Sequence, residues 1–224
     1  MKFALYNEST FPSLTKQLLT DWAGAYVLQL GRDFSSMWQT LGADIDLPTD
    51  LSGYTDDACI VHFVNRIPEA PDALAYHTRD NRGRPLARVG VLTNIDAGLT
   101  IDDVSESASH EILEAWEDPY CTEWVDYDGV KMVADEVCDP VQGSGYRING
   151  VQVANFVGSR WRDAKGSAGP FDFRNVLTAP LSRLSTGYLA FDDGTQDLGS
   201  MMHAAKKLQA QKYSRRSGGR IVTL

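Results

Sequence analysis

His110, Glu111 and Glu114 are the residues whose types and spacing could do chemistry. His110 and Glu114 stand four apart, so on a helix both project from one face, a turn apart. Glu111 projects about 100° further round. An imidazole and a carboxylate on one face are two lone-pair donors for a divalent ion. A second carboxylate beside them can act as a general base toward a water molecule that such an ion has acidified. A catalytic zinc needs three protein ligands and an open position, so a third donor must come from elsewhere in the chain.

The acids that follow the motif offer that donor. Between Asp102 and Asp139 there are thirteen acidic residues and a single basic one, Lys131. Carboxylates at such density repel one another unless a positive charge sits among them. Residues 130–138 are expected to form a strand, on which Glu136 shares its side with Ala134 and Cys138, both of buried type. A carboxylate on a buried side needs a partner. Glu136 is therefore expected as the third ligand, ahead of Asp139 and then Asp118. His77, near the open end of an expected hairpin, and Tyr146 are secondary site candidates. The helix motif resembles the zinc-metallopeptidase signature His-Glu-x-x-His with Glu in place of the second His. That exchange adds negative charge to the ion's ligands, lowers its Lewis acidity and admits Mn²⁺, Ca²⁺ or Mg²⁺ beside Zn²⁺. An acidic amphipathic helix with a solvated face would produce the same spacing without any metal.

The elements that must position these residues can be read from pattern. Residues 104–118 read as one helix, with Asp102, Asp103 and Ser105 available as caps and Pro119 just past its end. Residues 12–22 and 25–38 read as two N-terminal helices with apolar stripes. Residues 58–64 form an apolar run of strand length, and His62 within it reads as a hydrogen-bonded core residue. Residues 74–78 and 86–91 read as a hairpin. Residues 146–157 form another, with Asn149-Gly150 as its two-residue turn. A helix is expected over residues 201–212. The expected fold is α+β: a twisted, mostly antiparallel sheet packed on the helix of residues 104–118, with N-terminal helices, a C-terminal helix and a basic tail. The expected organisation is an N-terminal arm or helix (1–24), an α+β domain (25–197) and a C-terminal helix with tail (198–224).

Composition bounds the function. The 224 residues are 43% hydrophobic and 23% charged, as in a soluble globular protein. No apolar run approaches membrane-spanning length, and the N-terminus turns acidic too soon for an export signal. Cys59, Cys121 and Cys138 are odd in number and widely spaced, which argues against a disulfide framework and for synthesis in a reducing cytoplasm. The net charge of −9 is unevenly placed: residues 198–224 carry six basic residues and no acid, leaving −15 on the rest. The basic residues between 206 and 220 suit contact with nucleic acid or an acidic partner, or a solvated tail. The acidic body argues against nucleic-acid binding by the folded domain.

Three blocks carry a wider resemblance: Ser-His-Glu-Ile-Leu-Glu (109–114) with Glu117-Asp118-Pro119, then Asp135-Glu136-Val137-Cys138-Asp139-Pro140-Val141, then residues 146–157. Together with residues 28–38, 74–77, Trp161 and Gly187-Tyr188, they resemble a tailed-bacteriophage and bacterial protein family with a zincin-like His-Glu-x-x-Glu helix. The similarity spans most of residues 25–190. It implies a zincin-like fold and His110, Glu111, Glu114, Glu136 and Asp139 as motif positions. Arg162 departs from the pattern, since the relatives have an apolar residue after the Trp. Two functions follow as expectations. One is a metal-dependent, peptidase-like hydrolase with zinc as the first-ranked divalent metal, Glu111 as base and His110, Glu114, Glu136 and Asp139 as ligands. The other is a non-catalytic virion structural or assembly protein whose metal site is structural or vestigial. Either would be made in the host cytoplasm, with the virion as a destination, and would meet other phage structural proteins or further copies of itself, without a membrane.

Overall fold

The computed structural model describes residues 1–54, 58–164, 166 and 168–198. The chain opens with β1 (Lys2–Asn7), a helix α1 (Lys16–Leu28), a π-helical stretch (Gln29–Phe34) and a short α2 (Ser35–Trp38). β2 (Ile45–Asp46), β3 (Ala58–Val64), β4 (Ala75–Arg79) and β5 (Pro85–Gly90) follow, then α3 (Val91–Asp96) and the long α4 (Ile101–Glu117). Three hairpins of short strands complete the described chain: β6 (Trp124–Asp126) with β7 (Met132–Ala134), β8 (Tyr146–Ile148) with β9 (Val151–Val153), and β10 (Tyr188–Ala190) with β11 (Gln196–Leu198). The expected helix over residues 201–212 and the basic tail lie outside the described residues.

The mixed α+β class is as expected, but the sheet is not mostly antiparallel. Its order is β2-β1-β3-β5-β4. The β1–β2, β1–β3 and β3–β5 pairings are parallel, and only the edge strand β4 runs antiparallel, against β5. The physical reason lies in burial. Parallel strands are covered on both faces and read as continuous apolar runs, and β3 is buried at every position from Ala58 to Phe63. Cys59, Val61 and Phe63 face the main core, with Phe3, Leu5 and the helices, while Ile60 packs with Leu86 on the opposite face. His62 also lies on that opposite face, with Nε2 2.7 Å from Glu8 Oε2, so it is a partnered core residue away from the motif helix. The first 24 residues put β1 between β2 and β3 in the sheet and supply Trp22 to the core.

The two N-terminal helices join into one helical run from Lys16 to Trp38, because Gly24 is tolerated within it and the turns from Gln29 to Phe34 widen rather than break. Trp22, Tyr26, Leu30 and Phe34 recur at four-residue spacing and are all buried. Tyr26 donates its hydroxyl hydrogen to the Ser105 carbonyl at 2.9 Å, tying α1 to α4. The start of α4 is a capping box: the Asp103 amide donates to Thr100 Oγ1, and the Thr100 amide donates to Asp103. Of the caps expected from sequence, Asp103 takes part as the third helical residue, whereas Ser105 donates instead to the Gln152 carbonyl. Four residues on, Ser109 Oγ accepts from the Ala154 amide at 2.7 Å. These two small side chains hold the β8–β9 hairpin on α4, and Asn149 and Gly150 both adopt positive φ at its turn as read from sequence. Among the described residues no helix is long and apolar enough to cross a membrane.

One close approach fixes the turn after β7. Gly187 lies so near the backbone of Asp139 and Pro140 that a Cβ there would overlap the Pro140 carbonyl. Nearby, the Leu184 amide donates to that carbonyl at 2.8 Å. Gly187→Ala is expected to destabilise the protein by about 1–3 kcal/mol through overpacking. Gly24→Ala, in a helix with open space around it, should stabilise by about 0.5–1 kcal/mol. Urea denaturation of both variants checks the contrast, and a neutral Gly187→Ala would show that the approach is not required.

Candidate metal centre

The second half of α4 is buried almost all round: Ser109 through Ala115 are each under 9% exposed. The helix therefore carries His110, Glu111 and Glu114 into the interior, not along a solvated face. Three elements meet there: α4, the edge strand β4 with His77, and the turn from Asp135 to Asp139 that follows β7. His77 is 1% exposed, Glu111 2%, Glu114 0%, Glu136 2% and Asp139 2%, with His110 the most open at 7%.

Glu114 is the hub. Its Oε1 lies 3.0 Å from His110 Nε2, and its Oε2 lies 3.3 Å from His77 Nδ1. His110 Nε2 also sits 3.1 Å from Asp139 Oδ1. His77 Nδ1 is also 3.4 Å from Glu111 Oε2 and 3.7 Å from Glu136 Oε2. Two sets of three donor atoms lie within 4.8 Å of one another: His110, Glu114 and Cys138 form one, and His77, Glu114 and Glu136 the other. This buried cluster of histidine, glutamate and cysteine donors is capable of chelating a metal ion. The Glu111 carboxylate gives an independent sign of fit, because its Oε2 accepts no hydrogen bond among the described residues although it is buried. A buried carboxylate oxygen in that state calls for a cation.

The electrostatics follow from the same geometry. Burial works against a charge on His110, but the carboxylates of Glu114 and Asp139 outweigh it and hold the imidazole well above its ordinary range. An ion bound at Nε2 must displace that proton. Burial, with Glu114 and Asp139 close by, pushes the Cys138 thiol well up. Its Sγ donates to the His110 carbonyl at 3.7 Å, bracing the start of the motif.

The expected third ligands separate in space. Asp139 stands against His110. Glu136 stands against His77, and it does not reach its place as part of a regular strand. β7 ends at Ala134 and the Glu136 amide donates back to the Ala134 carbonyl at 3.0 Å. This tight turn sends Asp135 toward Arg162 while Glu136 enters the cluster, so the strand alternation used to orient Glu136 does not apply. Asp118 accepts from the Thr122 and Glu123 amides at 2.9 Å each and shapes the loop after α4. The Tyr146 hydroxyl donates to Asp33 at 2.8 Å and accepts from Gln29, so its bonding is to the N-terminal helical run. Cys138 is the donor that sequence reasoning missed as a ligand. Its adjacency to Asp139 in an acidic turn was the available signal.

Arg162 closes the outer side of this region. Its guanidinium pairs with both Glu117 and Asp135 and stacks over Trp38 at 4.1 Å from the ring centroid. It therefore takes up the acids that face away from the cluster. No protein-family model, curated protein or solved structure matches this chain.

Asp135 yields a test of this charge distribution. Burial first and Glu117 second push its carboxyl up to about 7, against the pull of Arg162. An unfolded Asp titrates near 4. Between about pH 4 and 7 the folded protein therefore holds more protons than the unfolded chain, and stability falls as pH rises, by up to about 1.4 kcal/mol per pH unit from this group. Urea denaturation across that window should show the slope, and Asp135→Asn should flatten it. An unchanged slope in the variant would assign the effect elsewhere.

Proposed function

We propose that this chain is a divalent-metal protein of the metallopeptidase-like hydrolase type, with the ion bound at the His110 side of the cluster. The observation that carries the reading is the convergence of His110 Nε2 with Glu114 Oε1 at 3.0 Å and Asp139 Oδ1 at 3.1 Å in a buried setting. One imidazole and two carboxylates are a donor set that suits zinc and admits harder ions such as Mn²⁺. The ion supplies Lewis acidity and lowers the pKa of water. Glu111, one residue along the helix from His110, accepts a proton as general base, with His77 Nδ1 3.4 Å from its carboxylate. The peptidase form of the reading is supported by the sheet. α4 packs on β4 and β5, and β4 is the antiparallel edge strand that brings His77 to the cluster. A strand edge accepts an extended peptide by main-chain pairing.

A second reading has its own observation. Every donor in the cluster is under 9% exposed, as in a metal site that serves folding rather than turnover. In that case the chain is a non-catalytic protein, of the kind expected from the phage-type resemblance, and the ion stabilises the joint between α4, β4 and the Asp135–Asp139 turn.

Metal analysis and a hydrolase assay on unfolded casein separate the two. His110→Ala should lose the ion, at least a tenfold weakening of affinity. Glu111→Gln should keep the ion and cut hydrolysis by about 10²–10⁴, the usual contribution of a general base. Wild-type protein that holds metal and hydrolyses nothing favours the structural site. Wild-type protein with no more metal than His110→Ala contradicts both readings.

A further inference from the structure

The proposed ion accounts for only one side of Glu114. On the other side lies a second set of donors, His77 Nδ1, Glu114 Oε2 and Glu136 Oε2, all on residues at most 2% exposed. We propose that the centre is dinuclear: Glu114 bridges two divalent ions, one on the His110–Asp139 side and one held by His77 and Glu136. This rests on the proposed metal-binding function and extends it.

Three observations carry the second ion. The first is direction. The two Glu114 oxygens face different imidazoles, 3.0 Å from His110 and 3.3 Å from His77, and a carboxylate that presents one oxygen to each of two donor sets is the bridging arrangement of two-metal sites. The second is the Glu111 oxygen. Glu111 Oε2 is buried, accepts no hydrogen bond among the described residues, and lies on the His77 side at 3.4 Å. The third is the number of donors: three carboxylates, Glu114, Glu136 and Asp139, and two imidazoles, His77 and His110, meet here, more than the four ligands of one tetrahedral ion. The donors of the second set, two carboxylates and one imidazole, suit Mn²⁺ or Zn²⁺.

The experiment uses the full chain, stripped with chelator and then titrated with Mn²⁺ and separately with Zn²⁺, the bound ions being counted by native mass spectrometry. Wild type should take up two ions per chain. The Mn²⁺ form should show the exchange-coupled electron paramagnetic resonance signal of a carboxylate-bridged pair. His77→Gln and Glu136→Gln should each hold one ion and lose the coupling, with circular dichroism confirming that they fold. If either variant fails to fold, the wild-type count and coupling decide alone. A single ion in wild type overturns the dinuclear centre and leaves the proposed function standing. Two ions without coupling overturn the Glu114 bridge. Two ions retained in both folded variants overturn the His77 site. No ion at all overturns this inference together with the function on which it rests.

Discussion

The constraint on which the structure depends is the burial of Glu114. A carboxylate with no solvent exposure must be met by positive charge or by hydrogen-bond donors. Here its two oxygens are met by two imidazoles that come from different elements, His110 from its own helix and His77 from the edge strand. Each imidazole in turn gathers further carboxylates: Asp139 at His110, and Glu111 and Glu136 at His77. The result is a continuous buried network rather than isolated ion pairs. Removing one member of such a network strands the others, which typically costs about 3–5 kcal/mol. A divalent ion bound there would turn the same arrangement from a liability into a source of stability, because its binding free energy would add to that of folding.

The rest of the fold can be understood as what holds those donors in register. Parallel pairing of β1, β3 and β5 makes a rigid base, and the antiparallel β4 brings His77 in at its edge. α4 lies across β4 and β5 with its second half enclosed. Ser105 and Ser109 are small enough to let the β8–β9 hairpin close over the helix while supplying hydroxyls to its backbone. Gly187 allows the chain near β10 to lie against the Asp139–Pro140 backbone. Arg162 pairs with Glu117 and Asp135, the acids that point away from the cluster. Arg162 thus has an electrostatic task next to the cluster.

Much of the site was legible in the sequence, for local reasons. The i, i+4 spacing of His110 and Glu114 needs only a helix to have meaning, and caps and Pro119 mark that helix. The Asn149-Gly150 and β4–β5 hairpins are likewise short-range signals. The parallel core was not legible. An apolar run such as residues 58–64 announces a buried strand but not its partner, and the pairing of β1 with β3 joins segments more than fifty residues apart. Glu136 lies near His77 for a reason that its neighbours in sequence do not signal. Strand alternation suggested its direction, but a turn at Ala134 set it. His77 ranked low because a lone histidine in a strand has no local signal of a site; only the packing of β4 on α4 joins it to Glu114. Cys138 read as a buried apolar residue, and its nearness to His110 depends on the same turn.

X-ray absorption at the zinc edge, on the protein as purified and zinc-loaded, decides whether the buried cluster around Glu114 is a metal centre. Tightly held zinc is expected, with nitrogen and oxygen neighbours at about 2.0–2.1 Å and more distant scattering from imidazole, both lost in Glu114→Ala. Zinc held no more tightly by wild type than by Glu114→Ala, or a shell without imidazole scattering, would contradict it.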